Sequence, residues 1–298
     1  MADLNEIFFP EVKPLVENVD IDKLKQILNY NVGNGKMIRF KMFEKLLLIL
    51  NPEHDKTLLV LGYAIELLQA GFLIIDDIMD NSEYRRGKAC HYKMRGMLGL
   101  RDGRYLVSLA SQIIRSCDPF LGTDVVFITS IGQSLDSMPR EINDYCFNIY
   151  KLICEKKTSI YTFYLPLFLG YKCLGKAEPK ILKEFCILAG YIFQVYDDYL
   201  NFFPDESRKT GNDLEEGKLT YFTALLAESK ERETFQEYFY KKKIDEKILK
   251  FVEKKFYSCK KEIKTSIDMM KNIINVENKE LSFIIGILEN HVSLINKL

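Results

Sequence analysis

A long apolar segment that ends in a cluster of aspartates constrains the fold of this chain most. Residues 56–80 are almost entirely apolar, and they close with Asp76, Asp77 and Asp80. A run of this length is too long for a β-strand and is typical of a buried helix. Because Glu66 and Gln69 interrupt the apolar residues before the aspartates begin, we predict a core helix and no membrane span.

The rest of the chain has few residues that break helices. Its 298 residues include only 16 glycines and 8 prolines, which favours helices over a β architecture with many turns. Turn residues at 33–35, 51–52, 101–103 and 210–212 separate the helical patterns. We predict one all-α domain that spans residues 1–298, with helices at 14–29, 36–50, 56–80, 103–117, 123–137, 140–156, 158–173, 179–203, 218–228, 231–239, 244–272 and 278–296.

Charge and cysteine content exclude several classes of protein. The 42 basic and 42 acidic side chains balance, which argues against a dedicated nucleic-acid-binding protein. The 7 cysteines are scattered and form no C-x-x-C pair, which suits a reducing compartment. The first residues lack the basic and long apolar regions of a signal peptide, so we expect a cytoplasmic protein.

The first acidic cluster has the chemistry of a cation site. On a helix, Asp76 and Asp80 lie one turn apart on one face, and Asp77 is turned away by about 100°. Carboxylates at the C-terminal end of a helix repel each other and the helix dipole, and a bound Mg²⁺ would offset that repulsion. The alternative is a hydrated helix terminus. Arg85 and Arg86 follow, and they suggest an anionic ligand such as a phosphate, or else a simple salt-bridge cluster.

A second acidic pair, Asp197-Asp198, follows another apolar helix. Two such pairs on two helices could face one another and hold metal ions between them. Lys157-Thr158 begins a further apolar stretch, where Thr158 could act as a helix cap. Lys209 and Lys218 follow the second pair; taken singly, each lysine is more simply a solvated surface residue.

Taken together, these segments resemble the trans-isoprenyl diphosphate synthases, and among them the eukaryotic farnesyl diphosphate synthases. The resemblance runs from about Tyr30 to Tyr221 and weakens towards the C-terminus. The whole set in the family's order is a specific signal, whereas one such segment would be a weak one. The matching segments are 35–39, 68–80, 85–87, 131–136, 157–166, 193–200 and 209–213.

The resemblance implies a fold, ligands and roles for individual residues. The fold is an isoprenoid-synthase bundle of ten or more helices around a central cavity, usually in a homodimer. The implied cofactor is Mg²⁺, with three ions per active site, near Asp76, Asp77, Asp80, Asp197 and Asp198. The implied catalytic contacts on the allylic side are Arg85, Lys157, Gln194, Lys209 and Lys218. Thr158 and the carbonyl of Lys157 would lie where the carbocation develops. The implied pocket for isopentenyl diphosphate is formed by Lys36, Arg39, Gln69 and Arg86.

The implied reaction explains these residue types. Cleavage of an allylic carbon–oxygen bond leaves a carbocation and a diphosphate anion, and metal ions with Arg and Lys side chains stabilise the anion. An apolar cavity keeps water from the cation. The double bond of isopentenyl diphosphate then attacks, and a proton is lost. The expected product is farnesyl diphosphate, made from dimethylallyl and geranyl diphosphates.

Departures from the family pattern leave alternatives open. Gly71 and Phe72 occupy positions where many farnesyl synthases carry two phenylalanines, so a deeper pocket would make a geranylgeranyl diphosphate synthase the alternative. Gly71 could instead permit close helix packing. Asn201 replaces the third aspartate of the second motif, which predicts altered metal affinity. A non-catalytic regulatory subunit is a third possibility, although such subunits usually lack one of the acidic motifs.

Overall fold

The chain folds almost entirely into helices, as its composition predicts. This computed structural model describes residues 4–16, 21–32, 35–202, 213, 216–241, 246–274 and 276–292. The helices are α1 (Phe9–Val12), α2 (Ile21–Asn31), α3 (Ile38–Leu50), α4 (Leu59–Met79), α5 (His91–Arg95), α6 (Met97–Arg115), α7 (Leu121–Ser137), α8 (Phe147–Ile153), α9 (Leu165–Cys173), α10 (Leu182–Phe202), α11 (Tyr221–Glu228), α12 (Arg232–Lys241), α13 (Glu246–Ile273) and α14 (Ser282–His291). A π-helical segment, Cys154–Tyr164, joins α8 to α9. The β1 strand (Tyr84–Arg85) pairs antiparallel with β2 (Lys88–Ala89).

Two compact units emerge from the contacts between residues. The first comprises Met1–Phe127 and Leu165–Glu178, and the second comprises Ile128–Tyr164 and Pro179–Leu298. The first unit contains α4 and the hairpin of β1 and β2. The second contains the π-helical segment, α10 and the helices that follow. The organisation of residues 1–298 as one domain stays a prediction.

Helix α4 is the buried helix that the apolar segment predicts. Its length, and a mean hydropathy of 2.1 over an 18-residue stretch, would suit a membrane-crossing helix. However, 72% of that stretch is buried within the protein, as in a core helix. The charged Glu66 is buried too, because its Oε1 accepts hydrogen bonds from the backbone N–H groups of Arg39 and Phe40 at 3.1 and 3.0 Å. The carboxylate thereby satisfies two donors in the first turn of α3 that have no partner within the helix.

Gly71 lets α4 approach α6 closely within the first unit. A Cβ atom at Gly71 would lie 2.7 Å from the carbonyl oxygen of Gly103 and 2.7 Å from Cγ2 of Val107. Real Cβ atoms do not come so close to a fixed backbone atom, so the crossing requires a glycine. The packing alternative for Gly71 therefore describes this structure. The alternative prediction, a deeper substrate pocket at Gly71, would require open space beside its Cα atom, and atoms of α6 fill that space. Phe72, the other predicted chain-length residue, is half-buried.

The predicted turn at residues 101–103 is wrong, because α6 begins at Met97 and continues through it. Asp102 is buried there, and its carboxylate accepts hydrogen bonds from Arg95, Arg101 and His91. Burial raises the pKa of Asp102, but the three donors together lower it by more, so the net shift of the pKa is downward. Residues that are common in turns thus serve tertiary packing in this helix.

Thr158 is not a helix cap, which corrects the predicted break near residue 157. The helix continues from α8 through the π-helical segment, and Thr158 lies inside that segment. Two glycines in the second unit accommodate it: a Cβ at Gly132 would collide with the backbone of Lys157, and one at Gly190 would collide with Ser159. Wide π-helical turns are rare and occur often at functional sites.

Candidate active site

The Arg85-Arg86-Gly87 motif forms a tight hairpin turn. Arg86 and Gly87 occupy the two turn positions between β1 and β2, with φ angles of 53° and 76°. Two residues with positive φ are typical of a type I′ turn, where glycine is favoured at the second position. This turn gives the two arginines different surroundings within the first unit.

Arg85 pairs with the first acidic cluster. Its Nε and Nη2 atoms donate to Oδ1 of Asp77 at 2.8 and 2.5 Å, and Nη2 lies 3.6 Å from Oδ2 of Asp76. The side chain of Asp77 is 3% exposed and that of Asp76 is 20% exposed. Burial lowers the pKa of Arg85, but the two carboxylates outweigh it and the net shift is upward. Asp77 is therefore held by a guanidinium, while Asp76 keeps an accessible edge.

Arg86 lies among other positive charges. Burial lowers the pKa of its guanidinium, and the charges of Arg85 and Arg39 lower it further, against the opposing effect of Glu66. Among the residues that the structure describes, no carboxylate lies within ion-pairing distance of Arg86. The absence of a side chain on Gly35 makes room for this guanidinium, because a Cβ there would lie 2.6 Å from the Arg86 Cζ atom.

The predicted isopentenyl diphosphate residues all belong to the first unit. Lys36 is exposed, and Gln69 is buried on α4. The Oε1 atom of Gln69 has no hydrogen-bond partner within the described part of the chain. A shallow pocket in this unit is lined by Tyr30, Asp77, Arg85, Arg86, Lys88 and His91, among others. Cationic side chains and an unsatisfied buried amide make this region suited to an anion with polar oxygen atoms.

The residues at the end of α4 fit a hard divalent cation. Asp76 and Asp80 are separated by one helical turn, with the backbone N–H of Asp80 donating to the carbonyl of Asp76 at 2.8 Å. Neither side chain is fully buried, and carboxylate oxygens are the ligands that Mg²⁺ prefers. Within the described ranges, no three His, Cys, Asp or Glu side chains converge on one point. The cluster alone thus supplies one or two ligands, as is usual for Mg²⁺ bound together with phosphate and water.

In the second unit, Lys157 has a buried acidic partner. Its Nζ lies 2.5 Å from Oδ2 of Asp136, a side chain that is almost fully buried. Burial raises the pKa of Asp136, but Lys157 and the more distant Lys218 and Arg140 lower it, and the net shift is downward. Asp136 fixes the Lys157 ammonium group in place. The segment 131–136 contributes to the family resemblance, but the sequence alone predicted no role for Asp136.

A chain of hydrogen bonds joins Thr158 to the second acidic pair. The Thr158 hydroxyl donates to Oε1 of Gln194 at 2.8 Å, and Nε2 of Gln194 donates to Oδ1 of Asp198 at 2.9 Å. The other oxygen of Asp198 accepts from the Tyr150 hydroxyl at 2.8 Å and from the Tyr221 backbone N–H at 2.7 Å. Burial raises the pKa of Asp198 to about 7, although all these donors act to lower it.

Asp197 and Asp198 therefore differ. The side chain of Asp198 is buried and its oxygens accept from three protein donors, whereas the side chain of Asp197 is 32% exposed. Tyr150 and Tyr221 were not predicted as site residues. Nothing in the sequence points to Tyr150. Tyr221 begins α11 shortly after Lys218, and a helix N-terminus favours a nearby carboxylate, which is the one signal that could have indicated its contact with Asp198.

Asn201 and Lys218 both contact Asp213. The Asn201 amide donates to Oδ2 of Asp213 at 2.5 Å, and Nζ of Lys218 lies 3.4 Å from its Oδ1 and 2.9 Å from Oε2 of Glu216. Burial raises the pKa of Asp213. Asn201 thus donates to a neighbouring carboxylate. Lys209 lies outside the described residues.

The predicted residues that the structure describes thus fall into two sets, one in each unit. The first set contains Lys36, Arg39, Gln69, Asp76, Asp77, Asp80, Arg85 and Arg86. The second contains Lys157, Thr158, Gln194, Asp197, Asp198 and Lys218. Each set joins carboxylates with basic or polar side chains, which is the combination that binds metal ions and diphosphates.

Comparison with known proteins supports this interpretation. The sequence model of the family described as polyprenyl synthetase matches residues 21–255. Farnesyl pyrophosphate synthase 1 of Cannabis sativa is 30% identical over 94% of this chain and 88% of its own length. Farnesyl pyrophosphate synthase of Candida albicans is 32% identical over 74% of this chain and 71% of its own length.

A solved structure of T. brucei farnesyl diphosphate synthase complexed with bisphosphonate BPH-722 has a similar fold. It matches with a TM-score of 0.75 over 96% of this chain and 95% of that chain, at 23% sequence identity. At this identity the likeness establishes the fold alone. Together with the helices described above, it confirms the predicted all-α fold.

Proposed function

The chain belongs to the polyprenyl synthetase family, and on that premise we propose that it makes farnesyl diphosphate. The reaction is the Mg²⁺-dependent head-to-tail (1′-4) condensation of isopentenyl diphosphate with dimethylallyl diphosphate and then with geranyl diphosphate. The relatives described as farnesyl pyrophosphate synthases, from a plant and a fungus, support this choice.

One observation in the geometry carries the proposal: the hairpin turn separates the surroundings of Arg85 and Arg86. Arg85 lies against Asp76 and Asp77, as expected for a guanidinium next to a metal-bound diphosphate. Arg86 lies near Arg39 and has no described carboxylate partner, as expected for a group that binds a second anion. A condensation of two diphosphates requires two such groups.

We assign the roles of the carboxylates from their burial. Asp76, Asp80 and Asp197 are the proposed ligands, because none of them is buried. Asp77 and Asp198, which protein donors hold, are proposed to support these ligands. Bound Mg²⁺, for which we propose three ions per active site, would neutralise negative charge on the diphosphate leaving group.

The second unit supplies the proposed groups around the allylic substrate. Lys157, Lys218 and Lys209 carry positive charge to the diphosphate. Because the Thr158 hydroxyl donates to Gln194, its oxygen lone pairs remain available to face positive charge. With the carbonyl of Lys157, this oxygen is the proposed neighbour of the developing carbocation. No side-chain base is required, since the released diphosphate can accept the proton.

The packing at Gly71 favours the shorter product. The geranylgeranyl alternative depended on an enlarged pocket at this position, but backbone and side-chain atoms of α6 lie directly against Gly71. The observation that supported a twenty-carbon product is therefore absent from the described structure, and we propose a fifteen-carbon product.

Product analysis tests the proposal. The purified protein is incubated with labelled isopentenyl diphosphate, Mg²⁺ and one of three allylic primers: dimethylallyl, geranyl or farnesyl diphosphate. We expect fifteen-carbon product from the first two primers and no elongation of the third. Elongation of farnesyl diphosphate would make the protein a geranylgeranyl diphosphate synthase. A folded protein that elongates no primer would instead be a non-catalytic subunit.

The cellular compartment and the oligomeric state of the enzyme stay predictions. All 7 cysteines are free thiols, which supports a reducing compartment such as the cytoplasm. Light scattering of the purified protein tests the predicted homodimer, for which we expect about twice the mass of 34.8 kDa.

A further inference from the structure

The last residue of α14, His291, packs against the second acidic motif within the second unit. Its imidazole stacks on the ring of Phe193 with a centroid distance of 4.1 Å and an interplanar angle of 5°. The ring of Tyr196 meets it edge-on at 4.9 Å and 75°. Both aromatic residues belong to α10, one turn and one residue before Asp197. The imidazole is therefore held in a defined orientation beside that aspartate.

One nitrogen of this imidazole is buried next to the Asp197 carboxylate. The side chain of His291 is 4% exposed, and its Nε2 atom has no hydrogen-bond partner within the described part of the chain. Nε2 lies 3.5 Å from Oδ1 of Asp197, slightly beyond a normal hydrogen bond. A buried polar atom without a partner is unfavourable, so a small adjustment that closes this distance is expected to be favourable.

We propose that His291 is a positioning residue for the metal ligand Asp197. The Nε2–H group donates to one oxygen of Asp197, which leaves the other oxygen directed towards Mg²⁺. The terminal torsion of an aspartate side chain is soft, so an external donor is needed to fix its orientation. Ligating groups at metal sites are commonly held in this way by a second layer of hydrogen bonds. This inference rests on the proposed function, because it takes Asp197 as a ligand.

The proposal gives α14 a part in the reaction. Because His291 ends this helix, docking of α14 on α10 and metal binding at Asp197 would favour each other, as linked equilibria must. Sequence reasoning could not find this contact, because His291 is 94 positions after Asp197 and lies in none of the motifs.

Direct metal binding tests the inference. The probe is Mn²⁺ with inorganic diphosphate, and free Mn²⁺ is measured by electron paramagnetic resonance. His291→Phe keeps an aromatic ring on Phe193 but removes the donor, and we expect the Mn²⁺ dissociation constant to rise by about tenfold or more. His291→Gln restores an N–H donor and should recover most of the affinity. His54→Ala, at a histidine whose ring bonds only its own loop at Asn51, is the matched control and should bind Mn²⁺ as the wild type does.

Two outcomes separate failure of this inference from failure of the proposed function. If Asp197→Asn weakens Mn²⁺ binding but His291→Phe does not, the positioning role is wrong and the ligand assignment stands. If Asp197→Asn leaves binding unchanged, the ligand assignment itself fails, and the inference fails with it.

The tautomer of His291 in the wild-type protein gives a readout that does not depend on the folding of any variant. Nitrogen NMR of histidine side chains should find a proton on Nε2 of His291. A proton on Nδ1 alone would remove the donor and overturn the proposal.

Discussion

The two acidic motifs have the same Asp-Asp pair but different means of holding it. In each pair the second aspartate is buried and the first is more accessible. Asp77 is held by the positively charged guanidinium of Arg85. The donors to Asp198 within the described ranges are all neutral, and burial raises its pKa to about 7.

This difference shows how one short motif can divide its work. A carboxylate whose oxygens accept from several protein donors has little freedom to reorient, so it serves as a support. The neighbouring, more exposed carboxylate can turn to a metal ion. At the first motif, the donor to the buried aspartate comes from the β1–β2 hairpin. At the second motif, the donors come from α8, α10 and α11.

The largest effect should come from the accessible aspartates. Asp76→Asn and Asp197→Asn each remove charge from a proposed Mg²⁺ ligand, and we expect turnover to fall by at least about a hundredfold. Steady-state kinetics with geranyl diphosphate measure this. Asp124→Asn, at an exposed aspartate on α7, is the control and should leave turnover unchanged. Near-normal turnover in either motif variant would remove that aspartate from the ligand set.

The buried aspartates should differ in stability. Asp77→Asn leaves Arg85 without its closest carboxylate, and we expect a loss of about 2–3 kcal/mol in the free energy of unfolding. This is less than for a fully buried pair, because Arg85 is 37% exposed and solvent screens its charge. Asp198→Asn leaves no unpaired charge, and we expect a loss of about 1 kcal/mol. Urea unfolding measures both. Equal losses would mean that the two pairs are held in the same way.

The glycines that pack the two motif helices should be sensitive to an added methyl group. In Gly71→Ala and Gly190→Ala, the new Cβ atom meets the backbone of a neighbouring helix, and we expect losses of about 1–3 kcal/mol in each. Gly286→Ala on α14 is the control, because its Cβ would meet nothing within 4 Å. That variant should gain about 0.5–1 kcal/mol, as alanine does in a helix. A gain at Gly71 as well would reopen the pocket interpretation of that residue.

The smallest effect should be a dependence on pH at the second motif. Asn201→Asp places a carboxylate against Asp213, so one of the two groups will have a raised pKa in the folded state. A group of this kind costs stability as the pH rises through its folded-state pKa. We therefore expect the variant to lose about 1 kcal/mol at pH 8 relative to the wild type, and less at pH 5.

Thermal unfolding at the two pH values measures this difference. Asn148→Asp, at an exposed position on α8, is the matched control and should show no such trend. If Asn201→Asp and the wild type have the same pH dependence, the contact between Asn201 and Asp213 does not constrain this part of the site.

Local patterns predicted the elements, and tertiary contacts decided the details. The apolar run and its aspartates were sufficient to predict α4 and a cation site at its end, because both depend on neighbours in sequence. The roles of Asp77 and Asp198 depend on Arg85 and on Tyr221, which no spacing rule connects to them. The π-helical surroundings of Thr158 were missed for the same reason, since glycines distant in sequence accommodate them. The continuation of α6 through Asp102 was missed although the partners of Asp102, which include His91 and Arg95, are close in sequence, because turn-forming residue types alone do not show whether such partners exist.

Metal binding by four single variants tests the central claim most directly. The dissociation constant of Mn²⁺ is measured in the presence of inorganic diphosphate for Asp76→Asn, Asp77→Asn, Asp197→Asn and Asp198→Asn. We predict a loss of about tenfold or more for the first member of each pair and a clearly smaller change for the second. If Asp77→Asn and Asp198→Asn weaken binding as much as their neighbours do, all four aspartates are ligands and the proposed division within each pair is wrong.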